Sequence, residues 1–579
     1  MQRLDKIVDH LSRIYPDHDQ QSLADNILKR MNVAQGNCTA ESFENKWSQS
    51  DVWLISYADS VIEDQQVPLH TLKKFIDQWL KDGVSGVHIL PFFPYSSDDG
   101  FSVINYAEVN QSVGNWADIQ AIANDYDLMA DLVINHCSAR SVWFENYKQG
   151  KHPGADYFVE ASPNDDLSLV VRPRTSPLLK ETQTLAGEKF IWCTFSHDQV
   201  DLNFANPEVL LEMVGIIRRY LEQGVRIFRL DAIAFLWKEI GTNCVHLPQT
   251  HEVTRLLRTL IEEHSPRAII VTETNVPNLE NLSYFGNGNE AHAVYNFSLP
   301  PLVLHALVAG TSNYLKQWQM SMPPAQAGNF YFNFLASHDG IGLRPAEGLL
   351  SEQEISSLVA TMESHGAKIS WRSDESGDPR PYEINIALFD ALQGTSNGPD
   401  QLQLERFLCA HAIMFALEGV PGIYIHSLLG TNNDYQRFAL SNQNRCINRH
   451  RWDWDKLQQQ LADNTSHHSQ VYQKMMSYLT LRRAQPAFHP NAAQYTLHLG
   501  DQIFAFWRQS LKRDQSIFCL HNVTDQIVEV PLNSVNLIGT QGWLDLISGE
   551  PINDQNLNLI LNPYQAVWLS NKLFIEEVK

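Results

Sequence analysis

Seven cysteines in 579 residues are too few and too scattered to staple a fold. They stand at 38, 137, 193, 244, 409, 446 and 519, are odd in number and form no C-x-x-C pair. That excludes a disulfide framework or a zinc site and points to reduced thiols in a cytoplasm. Positive charge is also scarce. Lys and Arg number 43 against 66 Asp and Glu, a net charge of −23, which argues against nucleic acid and anionic membranes as partners. No apolar run reaches the ~18 residues of a membrane-spanning helix. The opening MQRLDKIVDHLSRIYP is amphipathic with mixed charge and lacks a signal peptide's apolar core. The chain has no low-complexity tract. The expectation is a soluble, cytoplasmic enzyme of two or more domains, 44% hydrophobic and 10% aromatic. Such an acidic chain must gather any anionic substrate with local Arg or Lys.

What is present is a rhythm of short apolar runs separated by helical patterns. The runs are VWLISYAD (52–59), VSGVHILPF (84–92), LMADLVINH (128–136), GVRIFRLDA (224–232), AIIVTET (268–274), AHAVYNFS (291–298), YFNFLASHD (331–339) and GVPGIYIHS (419–427). Eight strands alternating with helices specify an α/β fold, a parallel (β/α)8 TIM barrel. Its expected pieces are 49–136, 206–340 and 401–490, preceded by a polar helical extension over 1–48. The stretches 137–205 and 341–400 are too long for one crossover helix. Both leave from strand carboxyl ends, so they should be subdomains overhanging the active site. From 491 to 579, short alternating runs such as QIFAFWRQ and SIFCLHNV predict an antiparallel β domain.

Three of the runs end in carboxylates: Asp231, Glu273 and Asp339. The carboxyl ends of barrel strands are where this fold keeps its chemistry. Arg229 and Asp231 are two apart, so on a strand they share a face and the guanidinium can hold the carboxylate ionised. Making or breaking a glycosidic bond needs one carboxyl as nucleophile and one as proton donor and acceptor. Asp231 suits the first role. Glu273, in a more apolar setting, suits the second, and Asp339 beside His338 suits the gripping of sugar hydroxyls in an oxocarbenium-like transition state. Carboxyls about 5–5.5 Å apart would give retention of configuration.

The strand-end motifs DLVINH, RIFRLDA, TETN and ASHD resemble the four conserved regions of glycoside hydrolase family 13, the α-amylase family. More narrowly, YADS, GVHILPFFPYSSDDGF, RPR, TFSHDQVD, EIGTNC, SHDGIG, PYEIN and CINRH match the sucrose phosphorylase subfamily in order. The resemblance implies domains B (137–205), B′ (341–400) and C (491–579), and transfer of an α-glucosyl unit to phosphate. It implies Asp231 as nucleophile, Glu273 as acid/base and Asp339 as transition-state stabiliser. A glucose pocket would be built by an Asp59–Arg449 pair with His88, His136, Gln199, Arg229 and His338. Asn135 lies where many amylases bind calcium, but the subfamily does without it. No metal or cofactor is therefore expected, and inorganic phosphate is a co-substrate. Asp131 is either scaffolding or functional, and the aromatics of FENY (144–147) and RWDW (451–454) read as core.

Departures from sucrose phosphorylases fall on the acceptor side. Phe235 replaces a Tyr, Asn275 a His, Glu383 a Gln, and Arg380 stands where an acidic residue is usual. An Arg there invites an anionic acceptor, since a guanidinium takes a carboxylate or phosphate bidentately. FLWKE, TETNVP and the N-terminal extension are similar to glucosylglycerate phosphorylases. On that likeness Arg174 and Arg380 should hold phosphate and glycerate in turn, with Asn275, Tyr382 and Glu383 beside them. The alternatives are sucrose or sucrose 6′-phosphate phosphorylase, an α-glucoside hydrolase or transglucosylase, and a catalytically silent binding barrel. The expected partners are a small glucoside, phosphate and a small polar acceptor, handled by a monomer or homodimer.

Overall fold

The computed structural model describes residues 2–34, 36, 46–373, 378–535, 542–552 and 558–574. Eight parallel strands close into a barrel: β1 (Trp53–Ser56), β2 (Gly86–Ile89), β3 (Asp127–Val133), β4 (Val225–Asp231), β5 (Ile269–Thr272), β6 (Ala293–Tyr295), β7 (Phe330–Asn333) and β8 (Val420–Tyr424). Each pairs with the next and β8 returns to β1, so the eight runs read from the sequence are the eight staves. Nearly every stave residue is buried, because helices cover the outside and side chains fill the inside. A Cβ on Gly422 would stand 2.2 Å from the Phe332 ring, so that stave position admits only glycine.

The runs end before their sequence bounds, the seventh by the most. β7 stops at Asn333, whose register partner is Pro421. Proline has no N–H to offer the ladder, so the chain leaves the sheet there and Asp339 rides on a loop beyond it.

Two helices, α1 (Arg3–Ile14) and α2 (Gln20–Met31), precede the barrel. They pack on its outer helices Pro248–His264 and Pro207–Glu222, burying Ile7, Leu11 and Ile27. His10 Nδ1 meets Glu252 at 2.6 Å and Arg30 reaches Glu212 at 2.8 Å. Residues 35 and 37–45 of the expected helical extension lie outside the described residues.

Between β3 and β4 the chain forms a helix (Val142–Lys148), a hairpin (Leu179–Thr184 with Gly187–Trp192) and a two-stranded pair, His136–Ser138 with Gln199–Asp201. Between β7 and β8 a helix (Glu352–Ser364) accompanies a sheet of Ile341–Gly342, Pro379–Asn385 and Lys368–Ser373. Both insertions rise from strand carboxyl ends. The C-terminal part contains a five-stranded antiparallel sheet with its own apolar cluster around Ile503, Leu520 and Val567. Phe144, Tyr147, Trp452 and Trp454 are all buried core. Six described cysteines are buried and free.

Candidate active site

β3 and β4 set Asp131 beside Arg229 and Val133 beside Asp231 in register. Alternation then places Asp131, Arg229 and Asp231 on the inner face together. Arg229 Nη1 donates to Asp131 Oδ1 at 2.5 Å and to Asp231 Oδ1 at 2.6 Å, and its Nη2 lies 3.8 Å from Glu273 Oε1. The guanidinium is sandwiched by the Phe101 and Tyr295 rings at 5.5 and 5.4 Å. His88 Nε2 donates to the second oxygen of Asp131 at 2.7 Å. Both Asp131 and His88 are fully buried, so they act as a fixed anchor for Arg229. Glu273 stands one residue beyond β5, where Oε2 accepts the Ala232 N–H at 3.0 Å. That N–H is aimed by a left-handed Ala232, φ 51°.

Burial pushes the Asp231 carboxyl well up, against the pull of Arg229 and with repulsion from Glu273 and Asp131. The sequence reading weighed only the cation. Glu273 is raised too, by burial and by Asp339, against Arg229, the Ala232 N–H and Arg445. Two carboxyls that repel across one guanidinium share a proton as a pair. Arg229 lies 2.6 Å from Asp231 and 3.8 Å from Glu273, a difference that favours the charge on Asp231 and the shared proton on Glu273.

Asp339 is set the other way. Burial opposes its charge, but Arg445 above all, with Arg229 and Arg449, outweighs it and holds the carboxyl far below the usual range. Arg445 Nη1 sits 2.6 Å from Asp339 Oδ1, and its Nη2 is 2.6 Å from Glu383 Oε1. His338 stacks on Phe101 at 4.8 Å and is kept neutral by burial. Gln199 Nε2 lies 3.2 Å from His136 Nε2, which burial also holds low.

These groups line one cavity of about 680 Å³, partly open to solvent, together with Arg174, Asn275, Tyr382, Glu383 and, unforeseen, Arg344 and Arg445. Four expected residues do not line it. His88 stands behind Arg229. Asp59 does not pair with Arg449: its carboxylate meets Arg451 at 2.5 Å, while Arg449 Nη1 binds Asp99 Oδ2 at 2.6 Å and its Nε donates to the His338 carbonyl. The left-handed Asp99, φ 45°, turns its side chain to Arg449, and Arg451 projects outward at 47% exposure. Arg380 also faces away, toward Glu352 at 3.3 Å, because it stands at the exposed start of Pro379–Asn385, which is buried only from Tyr382 onward. Arg445 had a signal, four residues before Arg449 in RCINRH. Arg344, five after Asp339, had none beyond its charge.

Asn135 touches a cation built into the chain. Lys238 Nζ donates to Asn135 Oδ1 at 2.6 Å and lies 2.7 Å from Asp201 Oδ2, all three buried or nearly so. No group of three His, Cys, Asp or Glu side chains suited to a metal occurs among the described residues.

The family model described as "Alpha amylase, catalytic domain" matches residues 57–341. A glucosylglycerate phosphorylase of Allomeiothermus silvanus is 41% identical over 97% of this chain and 98% of its own length. One of Escherichia coli is 41% identical over 97% and 99%. A sucrose phosphorylase of Agrobacterium vitis is more distant, 29% identical over 79% of this chain and 93% of its own. The crystal structure of sucrose 6F-phosphate phosphorylase from Thermoanaerobacter thermosaccharolyticum superposes with a TM-score of 0.71, at 25% identity over 82% of this chain and 94% of the other. A barrel with this strand-end constellation and these relatives places the chain in glycoside hydrolase family 13, the α-amylase family, within its sucrose phosphorylase subfamily.

Proposed function

We propose that the chain is a retaining phosphorylase converting 2-O-α-D-glucosyl-D-glycerate and phosphate to α-D-glucose 1-phosphate and D-glycerate. One observation carries the reading. The cavity holding Asp231, Glu273 and Asp339 is also lined by Arg174 and Arg344, guanidiniums without a carboxylate partner among the described residues. In a chain at −23, two uncompensated cations at the reaction site suit phosphate and an anionic acceptor. The names of the relatives over 40% identical support the same substrate; neutral fructose would leave those cations unmatched.

The Asp231 carboxylate attacks the anomeric carbon while Glu273 gives its proton to the glycosidic oxygen, and D-glycerate leaves. The resulting β-glucosyl ester is attacked from the vacated side by phosphate, which passes a proton to Glu273 as the ester bond breaks. Two inversions give the α-phosphate. Asp339, ionised by Arg445, holds the sugar hydroxyls as the ring flattens, and Arg229 carries away the charge released on Asp231. The buried, unbonded Nδ1 of His338 offers another hydroxyl contact.

The reaction uses no metal in this reading, because the Lys238 ammonium already bridges Asn135 and Asp201. Exhaustive dialysis against a chelator should leave turnover unchanged. A cytoplasmic setting is supported by six buried free thiols among the described cysteines.

The test supplies α-glucose 1-phosphate with D-glycerate, fructose, fructose 6-phosphate or glycerol and follows phosphate release over a blank without acceptor. Fast release with glycerate alone is expected. Release with a fructose acceptor returns the chain to the sucrose branch, and release equal to the blank in every tube leaves a hydrolase or an acceptor outside these four.

A further inference from the structure

Four guanidiniums line the cavity, and they divide by what they touch. Arg229 is held by Asp131 and Asp231, and Arg445 by Asp339 and Glu383. Among the described residues Arg174 bonds only its neighbour's carbonyl, Pro173 O at 3.3 Å, and lies near the Phe195 and Tyr382 rings at 5.9 and 5.4 Å. Arg344 is partly buried and makes no hydrogen bond or ion pair among the described residues.

The wall that carries Arg344 is specific. Arg344 opens a short 3-10 turn directly after Ile341–Gly342, the strand that pairs with Glu383 and Ile384. A Cβ on Gly342 would stand 2.8 Å from Asn275 Oδ1, so its glycine lets the Asn275 amide pack against this turn. Asn275 Oδ1 is buried yet accepts no hydrogen bond. A guanidinium without a counter-ion and an amide oxygen without a donor therefore share one wall, two residues from the proton donor Glu273. A cation and an acceptor so placed match a small hydroxy acid, whose carboxylate and hydroxyl flank the oxygen that Glu273 protonates.

Resting on the function proposed above, we propose that Arg344, and not Arg380, determines acceptor specificity by binding the carboxylate of the hydroxy-acid acceptor, while Asn275 Oδ1 takes a hydroxyl proton. Arg174, beside two aromatic rings, is left for phosphate.

The experiment compares kcat/KM for D-glycerate and for glycerol, each with α-glucose 1-phosphate as donor, in wild type, Arg344→Met, Arg344→Lys and Arg380→Met. Glycerol shares the carbon skeleton but has no charge, so the ratio of the two isolates the carboxylate contact from damage to the donor site. Arg344→Met should lower the ratio ~30-fold, in line with a lost hydrogen bond to a charged group. Arg344→Lys should recover part of it, since the charge returns without the fork. Arg380→Met should leave the ratio unchanged. An equal fall for glycerate and glycerol in Arg344→Met, or a fall in ratio for Arg380→Met instead, overturns the assignment while wild-type preference for glycerate stands. A wild type that prefers glycerol overturns the proposed function and this assignment with it. Should Arg344→Met fail to fold, Arg344→Lys reports alone, and a ratio equal to wild type counts against the bidentate carboxylate contact.

Discussion

Arg445 Nη1 lies 2.6 Å from Asp339 Oδ1, and the other end of the same guanidinium grips both oxygens of Glu383 at 2.6 and 3.2 Å. One side chain thus joins the third carboxylate of the barrel to the subdomain between β7 and β8. Its ionisation is reinforced by both acids against the cost of burial. Asp339 owes its low pKa chiefly to this partner, with Arg229 and Arg449 adding to it.

Replacing Arg445 by Gln should let the Asp339 carboxyl rise toward the ordinary range, because the largest force opposing its burial is gone. Asp339 must be ionised to act. The acid limb of the kcat/KM profile should therefore move to higher pH, with kcat down at least ~10-fold at its plateau. An unshifted acid limb would show that Asp339 does not depend on this cation.

Asp231→Asn should lower turnover by about four orders of magnitude or more, as removal of a covalent nucleophile does. Its Tm should hold or rise. Burial makes the Asp231 charge costly in the folded state, and a neutral amide escapes that cost while still accepting from Arg229. Calorimetry and phosphate-release rates check the two halves separately, and near-normal turnover would refute the nucleophile.

Local periodicity explains what could be read from the chain. Arg229 and Asp231 share a face because strands alternate, and the eight apolar runs became eight staves for the same reason. Asp99 and Arg449 are 350 residues apart and meet through loops. No strand period governs loops, so Asp59 and Asp99 on different loops, or the near neighbours Arg449 and Arg451, compete for one partner. A left-handed backbone at Asp99 decided it. Arg380 stands at the exposed start of its strand and Glu383 in the buried half, a division set by which neighbouring elements cover the strand and not by any local pattern.

The two acid–base pairs make opposite predictions. In the Asp99–Arg449 pair the guanidinium is buried, at 1% exposure and anchored to the His338 carbonyl, while Asp99 is partly exposed. Asp99→Asn leaves that guanidinium without its anion, which should cost about 3–5 kcal/mol of stability. It should also raise the KM for α-glucose 1-phosphate as His338 loses its support. Asp59→Asn breaks a pair whose Arg451 is half in solvent, and a change within about 1 kcal/mol is expected. Melting curves and donor KM for both variants decide it. A larger effect at Asp59 would restore the pairing expected from the sequence.

Glu418 sits at the amino end of β8, accepting the Ala325 N–H at 2.8 Å near Arg508 of the C-terminal sheet. Burial pushes its carboxyl up to about 7 from 4.5, against Arg508 and that N–H. The sign follows from proton counting. Between those two values the folded chain keeps a proton that the unfolded chain releases, so this group's stabilisation is complete below the unfolded value and is lost as pH rises through the folded one. The whole window is worth on the order of 3 kcal/mol. Glu418→Gln keeps an acceptor for Ala325 and cannot ionise. Between about pH 5 and about pH 8 the wild type should therefore lose stability relative to the variant, seen as a Tm gap that opens with pH. A gap that stays constant would place the Glu418 pKa outside that window and remove burial at the barrel floor as its cause.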